Sequence, residues 1–277
     1  MRPTATELPA VDDPVSSAYL TEVLDLVAAG HDLDVIDDLL TGSAGFTLGP
    51  SALLAPSGAD DAPRAAPRPW PACRPPLEVV DHGAGALRDL LAAADVPVLA
   101  SHRHHGVVEL PHRGTLTRTS GATALELGTT WGPDVVVLDL LPDHRAARCV
   151  ALAAHPDCSP AALDSAVGLL QAAGLEVHLV PDTPGLVTGR ILATVLNTAA
   201  ELVDGAGRDP AEVDARFRDR ARSTAAPSVW LDQVGAAAAL DLLAGLERWY
   251  GPRATRPTPA LRRSALRAST ARPVLVP

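Results

Sequence analysis

The sequence lacks several residue types and patterns that many protein classes require. It contains no lysine, so all 23 basic residues are arginine, and in a chain rich in alanine, proline and glycine this absence indicates a coding bias rather than a function. Aromatic residues make up only 3% of the chain, so alanine, leucine and valine must fill the core. The three cysteines, Cys73, Cys149 and Cys158, form no C-x-x-C pair, which indicates reduced thiols in a cytoplasmic protein. No apolar run reaches the roughly 18 residues of a membrane-spanning helix.

Charge and the absence of common catalytic motifs exclude further classes. The net charge is −10 at pH 7, which argues against a nucleic-acid backbone as a partner. No G-x-S-x-G, C-x-x-C or P-loop pattern occurs, so hydrolase, thiol-redox and nucleoside-triphosphatase functions have no support. The 277 residues, 47% of them apolar, suffice for one large domain or two to three small ones with a sizeable core.

The stretch Val180–Gly205 predicts the end of a strand, a sharp turn and a long helix. Pro181 cannot donate to a strand ladder, and Pro184-Gly185 is typical of a turn, with Asp182 or Thr183 as the helix cap. Apolar residues then recur at the spacing of one helix face: Leu186, Ile191, Val195, Leu196, Ala199, Leu202 and Val203. This spacing predicts an amphipathic or buried helix.

Residues 77–182 alternate between strand-like and helical segments, which predicts a parallel sheet. The predicted strands are Leu77–Asp81, Val96–Ala100, Gly106–Leu110, Thr115–Arg118, Asp134–Leu141, Arg148–Ala153 and Leu175–Val180. The predicted helices are Ala84–Ala94 and Pro160–Ala173. Because the two segments between residues 106 and 118 are weak candidates, the sheet is expected to have about five strands.

The N-terminal segment repeats the spacing of the C-terminal one. Amphipathic helices are predicted over Val15–Ala29 and from Asp32 or Asp34 to Leu40. The corresponding pairs are Leu20-Thr21 with Leu196-Asn197, Ile36-Asp37 with Val213-Asp214, Pro50-Ser51 with Pro227-Ser228, and Gly58 with Gly235. Since proline and glycine positions agree, we predict two related helical modules, the first one shorter. A chance match in alanine- and leucine-rich sequence is the alternative.

The run from Asp182 to Arg263 resembles the domain junction and helical domain of 3-hydroxyacyl-CoA dehydrogenases. In that family a D-T-P-G turn leaves the nucleotide-binding domain, and the next helix carries R-x-x…L-N-E-A. The matching residues here are 182–185, Arg190, Leu196 and Asn197, and the match continues through 209–214, 227, 232–235, 250–251 and 256–263. Over roughly residues 15–265 the chain resembles the C-terminal half of the long, duplicated 3-hydroxybutyryl-CoA dehydrogenases.

The resemblance implies a mixed α and α/β fold, in which a reduced Rossmann-like parallel sheet is flanked by two related helical modules. The expected domains are a disordered arm (1–14), a short helical module (15–58), a proline-rich linker (59–76), a reduced Rossmann-like α/β domain (77–182), a helical C-terminal domain (183–268) and a tail (269–277). The linker should be extended because it is so rich in proline, and Trp70 is expected to dock on a neighbouring surface.

The resemblance also implies positions for the catalytic residues. In the family a His–Glu dyad removes the proton of the 3-hydroxyl group while hydride leaves to the nicotinamide, and a serine and an asparagine bind the reacting oxygen. Ser120 and Asn197 match the serine and the asparagine, but Leu138 stands in place of the histidine, and Ala151 lies near the glutamate position. Serine and asparagine cannot accept a proton at neutral pH, so the match implies that the general base is lost.

The cofactor turn is incomplete in a similar way. Gly83 and Gly85 supply the first two glycines of a G-x-G-x-x-G/A turn, but Arg88 occupies the third position, where a long side chain interferes with close packing. The acidic residue expected about 20 residues later is replaced by a segment containing Arg103, which would suit a 2′-phosphate. The sequence favours a turn that keeps the fold without the ligand over binding of NAD(H) or NADP(H).

Two sets of histidines and carboxylates offer alternatives: His144 or His155 with Asp143 or Asp157, and His102 and His104 with Glu109. A residue of the first set would replace the lost base if the match to the family were shifted. The second set could bind a metal, but a polar stretch of this kind favours an exposed loop, and no metal is expected.

These observations favour a degenerate or accessory family member that binds itself or a partner dehydrogenase subunit, with an acyl-CoA as candidate ligand. The alternatives are an active NAD(P)(H)-dependent 3-hydroxyacyl-CoA dehydrogenase that uses shifted residues, and a CoA-thioester-binding protein without redox chemistry. The apolar faces of the helical modules are too large for the α/β unit to cover, so a homodimer or heteromer is expected. Neither nucleic acid nor a membrane is expected as a partner.

Overall fold

The computed structural model describes residues 13–55, 67–101, 105–251 and 256–271. The helices of these residues are α1 (Pro14–Ala28), α2 (Leu33–Ser43), α3 (Pro50–Leu54), α4 (Arg88–Ala93), α5 (Ala124–Trp131), α6 (Pro160–Ala172), α7 (Thr188–Ala200), α8 (Pro210–Ala221), α9 (Pro227–Val234), α10 (Ala236–Tyr250) and α11 (Pro259–Ala271). The strands are β1 (Val79–His82), β2 (Val98–Ala100), β3 (Val107–Glu109), β4 (Thr115–Arg118), β5 (Val135–Leu138), β6 (Cys149–Ala154) and β7 (Glu176–Leu179). No single described helix is long and apolar enough to cross a membrane; α9 and α10 pass together by length and composition alone, and they meet at 93°.

The seven strands form one sheet in the order β2-β1-β3-β4-β5-β6-β7. The prediction of a parallel sheet holds for β1–β2, β4–β5 and β6–β7, whereas β1–β3, β3–β4 and β5–β6 are antiparallel. The physical reason is the length of the connections. Only Leu110–Gly114 joins β3 to β4, and Asp139–Arg148 joins β5 to β6 without a helix, so neither can make the crossover that parallel strands require.

The two faces of the sheet bury separate cores because side chains alternate along each strand. Val135 and Val137 of β5 lie in what we call the helix-side core, with Ala151 of β6 and residues of α1, α2 and α7–α10. Val136 and Leu138 lie in the far-side core, under α4 and α6. The sheet is therefore covered on both faces, and the helical segments of both ends of the chain pack on the same one.

The helix α5 was not predicted, although the sequence carries its signal. Thr123 and Glu126 form a reciprocal capping box at its N-terminus. The carboxylate of Asp182, in the D-T-P-G turn, accepts hydrogen bonds from Ala124 N–H (2.7 Å) and Leu125 N–H (2.9 Å). The turn thus fastens the start of α5 to the start of the helical domain.

The described part of the linker, residues 67–76, forms no helix or strand, and it passes from β7 over α6 towards β1. Trp70 N–H donates to the carbonyl of Val177 in β7 at 2.6 Å, and the Trp70 ring packs against the far-side core. The side chain of Gln171 accepts from Cys73 N–H at 2.8 Å and donates to the Trp70 carbonyl at 3.2 Å. The linker therefore contacts β7 at one backbone carbonyl and is otherwise held on α6.

The first helices agree closely with their predicted bounds. α1 begins at Pro14 behind the cap Asp13, and α2 begins behind the cap Asp32 and ends three residues later than predicted. α1 packs lengthwise against α7, so the two ends of the chain share one core. Residues 1–12 of the predicted arm, 56–58 of the short helical module (with Gly58 of the predicted repeat), 59–66 of the linker and 272–277 of the tail lie outside the described residues.

The few aromatic residues are concentrated in the helix-side core. Phe46 stacks on Tyr19, with ring centroids 5.0 Å apart, and on Trp230, at 5.6 Å. Phe217 meets all three rings edge-on. This cluster contains four of the chain's eight aromatic residues and joins the N-terminal helices to α8 and α9.

Candidate active site

The predicted site lies where β4 and β5 end, at the N-terminus of α7. Thr119 N–H donates to the carbonyl of Leu138 at 2.8 Å, so the loop after β4 stays beside the end of β5. Ser120 follows and is exposed. Gly121, with φ of +90°, lies against the backbone of Gly245 in α10. A Cβ on Gly245 would overlap the carbonyl of Gly121. The Ser120 loop is therefore held between the sheet and α10.

A buried carboxylate, Asp139, occupies the centre of this region. It is 1% exposed and accepts hydrogen bonds from the backbone N–H groups of Val187 (3.1 Å), Thr188 (2.7 Å) and Gly189 (2.9 Å), at the start of α7. Burial raises the pKa of Asp139 to about 6, and the backbone hydrogen bonds oppose that shift. The carboxylate thus serves as the anion at a helix N-terminus, and sequence analysis did not identify it.

The two positions matched to the family's dyad hold no ionisable group. Leu138 is buried and points into the far-side core, away from α7. Ala151 is fully buried in the helix-side core, and its carbonyl accepts from Asp139 N–H at 2.9 Å. The side chains at these positions therefore pack the sheet, and neither can take a proton.

Asn197 is engaged away from Ser120. Its amide donates to the carbonyl of Arg256 at 3.0 Å, and its oxygen accepts from Thr258 N–H at 2.8 Å. It lies roughly 12 Å along α7 from Gly189, which contacts the Thr119 side chain. The structure therefore does not bring Asn197 to the Ser120 loop; the asparagine holds the segment that leads into α11.

The turn after β1 does not fit a dinucleotide. Gly83 has φ of +79°, as a tight turn requires, but the Ala84 N–H donates to the Asp81 carboxylate at 2.6 Å. A fixed carboxylate therefore occupies the turn that a pyrophosphate would need. Gly85 opens a 3-10 turn, and the α-helix that begins at Arg88 has only six residues.

The neighbourhood of β1 also departs from a dinucleotide fold. The antiparallel β3 lies between β1 and β4, where the ligand crevice of such folds opens between parallel strands. His82, at the end of β1, pairs with Glu109 of β3 at 2.9 Å. The residues present do not fit NAD(H). Arg103 lies outside the described residues, as do His102 and His104 of the alternative metal set.

The alternative bases lie apart from Ser120. The backbone N–H of His155 donates to the carbonyl of Val135 at the start of β5. His155 therefore lies at the opposite end of the strands from Ser120, with its ring against Gly128. The ring of His144 lies 3.7 Å from the carboxylate of Asp89 in α4, on the far side of the sheet. Neither histidine can replace the base beside the Ser120 loop.

A buried ion pair joins the two ends of the chain, and only its arginine was identified from the sequence. Arg190, one of the family-matching residues, donates to Glu22 of α1, and the two side chains are 5% and 4% exposed. The Thr194 hydroxyl donates to the same carboxylate at 3.0 Å, and the guanidinium lies over the Tyr250 ring at 4.8 Å. The signal in the sequence was a glutamate among the apolar residues of α1.

Next to this ion pair, His31 connects the α1–α2 turn to the D-T-P-G turn. Its Nε2 lies 2.8 Å from the Thr183 hydroxyl, and its Nδ1 is buried without a hydrogen-bond partner among the described residues. Burial and the neighbouring Arg190 lower the pKa of His31 to about 4. The histidine is therefore neutral at pH 7, which suits a position beside a buried guanidinium.

The architecture places a Rossmann-like sheet next to a helical domain that starts at a Pro-Gly turn. The 3-hydroxybutyryl-CoA dehydrogenase reduced Rossmann-fold domain matches residues 116–184, and the 3-hydroxyacyl-CoA dehydrogenase C-terminal domain matches residues 185–272. The chain belongs to the 3-hydroxyacyl-CoA dehydrogenase family. Within the family, its matched parts are the reduced sheet domain and the C-terminal helical domain.

Two relatives show how far the likeness extends. The 3-hydroxyadipyl-CoA dehydrogenase of Escherichia coli K12 is 29% identical over 170 residues, which cover 61% of this chain and 35% of that protein. The crystal structure of 3-hydroxybutyryl-CoA dehydrogenase from Escherichia coli K12 superposes with a TM-score of 0.75 at 22% identity, over 95% of this chain and 60% of that one. The chain thus spans about a third of the first relative and three fifths of the second.

The buried ion pair leads to a test of what joins the two ends of the chain. Changing Arg190 to Met leaves the Glu22 carboxylate buried and unpaired, and should lower the free energy of unfolding by about 3–5 kcal/mol. Adding Glu22→Leu to this variant should restore part of the loss, because the unpaired charge is then removed. Urea unfolding of both variants measures the effect, and a double variant less stable than Arg190→Met would contradict this interpretation.

Proposed function

We propose that this chain is a non-catalytic member of the 3-hydroxyacyl-CoA dehydrogenase family, a degenerate or accessory part that associates with itself or with a partner dehydrogenase subunit. An acyl-CoA is its candidate ligand. The observation that carries the proposal is the packing at the dyad positions. Leu138 is turned into the far-side core and Ala151 into the helix-side core, so neither dyad position presents a base to the Ser120 loop.

The turn after β1 supports the same conclusion independently. Removal of hydride requires a nicotinamide held at the end of the first strand in this fold class. Here the Asp81 carboxylate accepts from the turn, and β3 lies beside β1. A protein that has lost both the base and the cofactor turn has lost both halves of the redox reaction.

One observation favours the alternative, an active NAD(P)(H)-dependent dehydrogenase. Asp139 lies near the Ser120 loop with a pKa raised to about 6, and strongly shifted carboxyl groups are common at functional sites. Its carboxylate, however, already accepts from four backbone N–H groups, including its neighbour Leu140. Taking a substrate proton would require it to leave the start of α7, so we rank this alternative second.

The two hypotheses differ in a single assay. The purified chain should not reduce acetoacetyl-CoA with NADH or NADPH above the rate without protein, because loss of a general base alone costs on the order of 10²–10⁴-fold. The Ser120→Ala variant, whose side chain is exposed, is the matched control and should behave like the parent chain. Turnover that falls at least tenfold in Ser120→Ala would overturn the proposal.

We also infer that the two helical segments are related modules. Asp37 accepts from the Ser51 backbone N–H and hydroxyl, and Asp214 accepts from the same two groups of Ser228. Between the modules, Phe46 pairs with Ser223, flanked by hydrogen bonds from Thr47 N–H to the Arg222 carbonyl and from Thr224 N–H to the Gly45 carbonyl. Repeated capping contacts and a reciprocal bridge support an internal duplication with approximate two-fold symmetry.

The expected association surface is smaller than the sequence suggested, because α1 and α7 cover one another. Large apolar side chains are still exposed on the α10–α11 hairpin: Trp249, Tyr250 and Leu266. We place the contact between two copies there, since exposed apolar side chains on adjacent helices are typical of interaction surfaces.

Light scattering at micromolar concentration tests this placement. The parent chain should be a dimer, and Leu266→Glu should shift it towards monomer by putting a charge into the contact. Leu99→Glu, at an exposed position on β2 (50% against 66% for Leu266), is the control and should remain dimeric. A monodisperse monomer for the parent chain would contradict the dimer proposal.

A further inference from the structure

Three potential metal ligands that are far apart in the sequence meet between the N-terminal helices and the sheet. They are Asp38 of α2, Cys149 of β6 and His178 of β7, and their ligand atoms all lie within 4.8 Å of one another. His178 is 2% exposed, Cys149 is fully buried, and Asp38 is partly buried. We call this group the Asp–Cys–His cluster. The three residues form no spacing motif in the sequence, which explains why the sequence predicted no metal site.

The packing of α2 on the sheet creates the cluster. Cys149 and His178 lie on the helix-side face, because His178 pairs with Ala151, which shares that face with Cys149. Gly42 allows α2 to approach closely, since a Cβ at this position would overlap the Cys149 sulfur. Arg148 N–H donates to the Gly42 carbonyl at 2.7 Å and fixes this approach.

The three donor atoms form a set that suits zinc. Thiolate sulfur, imidazole nitrogen and carboxylate oxygen are the usual zinc ligands, and bond lengths of about 2.0–2.3 Å place donors roughly 3.3–3.7 Å apart in a tetrahedron. His178 Nε2 lies 2.7 Å from Asp38 Oδ2, so an ion between them requires these two atoms to separate by roughly half an ångström. The Cys149 sulfur lies 3.3 Å from the Asp38 backbone carbonyl, beside both groups.

The surrounding charges also suit a divalent cation. Arg148 donates to Asp38 Oδ1 at 2.6 Å and leaves Oδ2 directed at the histidine. Its other nitrogen donates to Glu176 at 3.2 Å. Binding of Zn²⁺ would displace the thiol proton of Cys149 to solvent. The three negative charges of Asp38, Glu176 and the Cys149 thiolate would then balance the positive charges of Zn²⁺ and Arg148. The partly exposed Asp38 side gives water access to a fourth position.

We propose that the Asp–Cys–His cluster binds Zn²⁺, with Asp38 Oδ2, Cys149 Sγ and His178 Nε2 as ligands and a water molecule in the fourth position. The ion would fasten α2, and with it the N-terminal helices, to β6 and β7. The site is separate from the Ser120 loop and does not depend on whether the chain is catalytic.

Cobalt titration of the full, untagged and metal-free chain tests the proposal, because Co²⁺ reports both geometry and ligand type. One Co²⁺ per chain should bind, with the visible absorption of tetrahedral cobalt and a thiolate-to-cobalt charge-transfer band, and Zn²⁺ should displace it. Cys149→Ser should abolish the charge-transfer band and weaken binding on the order of 100-fold or more. His178→Gln should weaken binding similarly, whereas Cys158→Ser, a cysteine outside the cluster, should bind like the parent chain.

Thermal unfolding of the parent chain provides a readout that does not depend on any variant. Saturating Zn²⁺ should raise the Tm by about 5 °C or more, since an ion that binds only the folded state stabilises it. Absence of both the thiolate band and the Tm rise would overturn the proposal. A band that persists in Cys149→Ser and is lost in Cys158→Ser would overturn it as well, because the thiolate would then come from elsewhere.

Discussion

The hydrogen bonds between the Asp139 carboxylate and the first turn of α7 hold the two parts of this molecule together. A carboxylate at the end of β5 accepts from the N–H groups of Val187, Thr188 and Gly189, which have no partners within the helix. The helix dipole favours the negative charge, whereas complete burial disfavours it, and the outcome is a pKa raised to about 6. The orientation of α7 relative to the sheet follows from this contact, and α1 and α10 pack against α7 in turn.

This contact also explains why the predicted site is structural rather than catalytic in our proposal. The backbone donors at the start of α7 are used by Asp139, and the amide of Asn197 is used by the segment before α11. Leu138 and Ala151 contribute to the two cores of the sheet. The polar groups at the start of α7 and on Asn197 thus already have hydrogen-bond partners within the chain, and the apolar side chains of Leu138 and Ala151 are buried. Ser120 is exposed, and a serine without a base is a weak catalyst.

Local patterns predicted much of the fold. The helices α1 and α7, the strand β4 and the turn at Pro184-Gly185 depend on apolar spacing and capping residues that lie within a few positions of one another. The antiparallel strands differ from the predicted parallel sheet because the Leu110–Gly114 connection is too short for a crossover, a constraint that the alternation of strands and helices does not show. The helix α5 was missed although its capping box was visible at Thr123 and Glu126.

The site was less predictable because its decisive contacts join distant parts of the chain. Ser120 lies two residues after β4 and Leu138 is the last residue of β5, but nothing near Asp139 in the sequence shows that its carboxylate meets α7. The ion pair of Glu22 with Arg190 and the contact of Asp38 with His178 likewise join residues that are far apart in the sequence. Such contacts depend on tertiary packing, and a single sequence records only their individual residues.

The most direct test is the free energy of unfolding of the parent chain and of Asp139→Asn, measured in urea at pH 5 and pH 7.5. Because the folded pKa of Asp139, about 6, lies above the ordinary value of 3.8, the folded state binds more protons between these values, and the stability contributed by this group falls as pH rises through 6. Asparagine can accept only at its oxygen, so the variant should be less stable by about 2 kcal/mol or more at pH 5. This difference should shrink by on the order of 1 kcal/mol at pH 7.5. A variant as stable as the parent chain at both pH values, or a difference that grows with pH, would contradict the central role of this carboxylate.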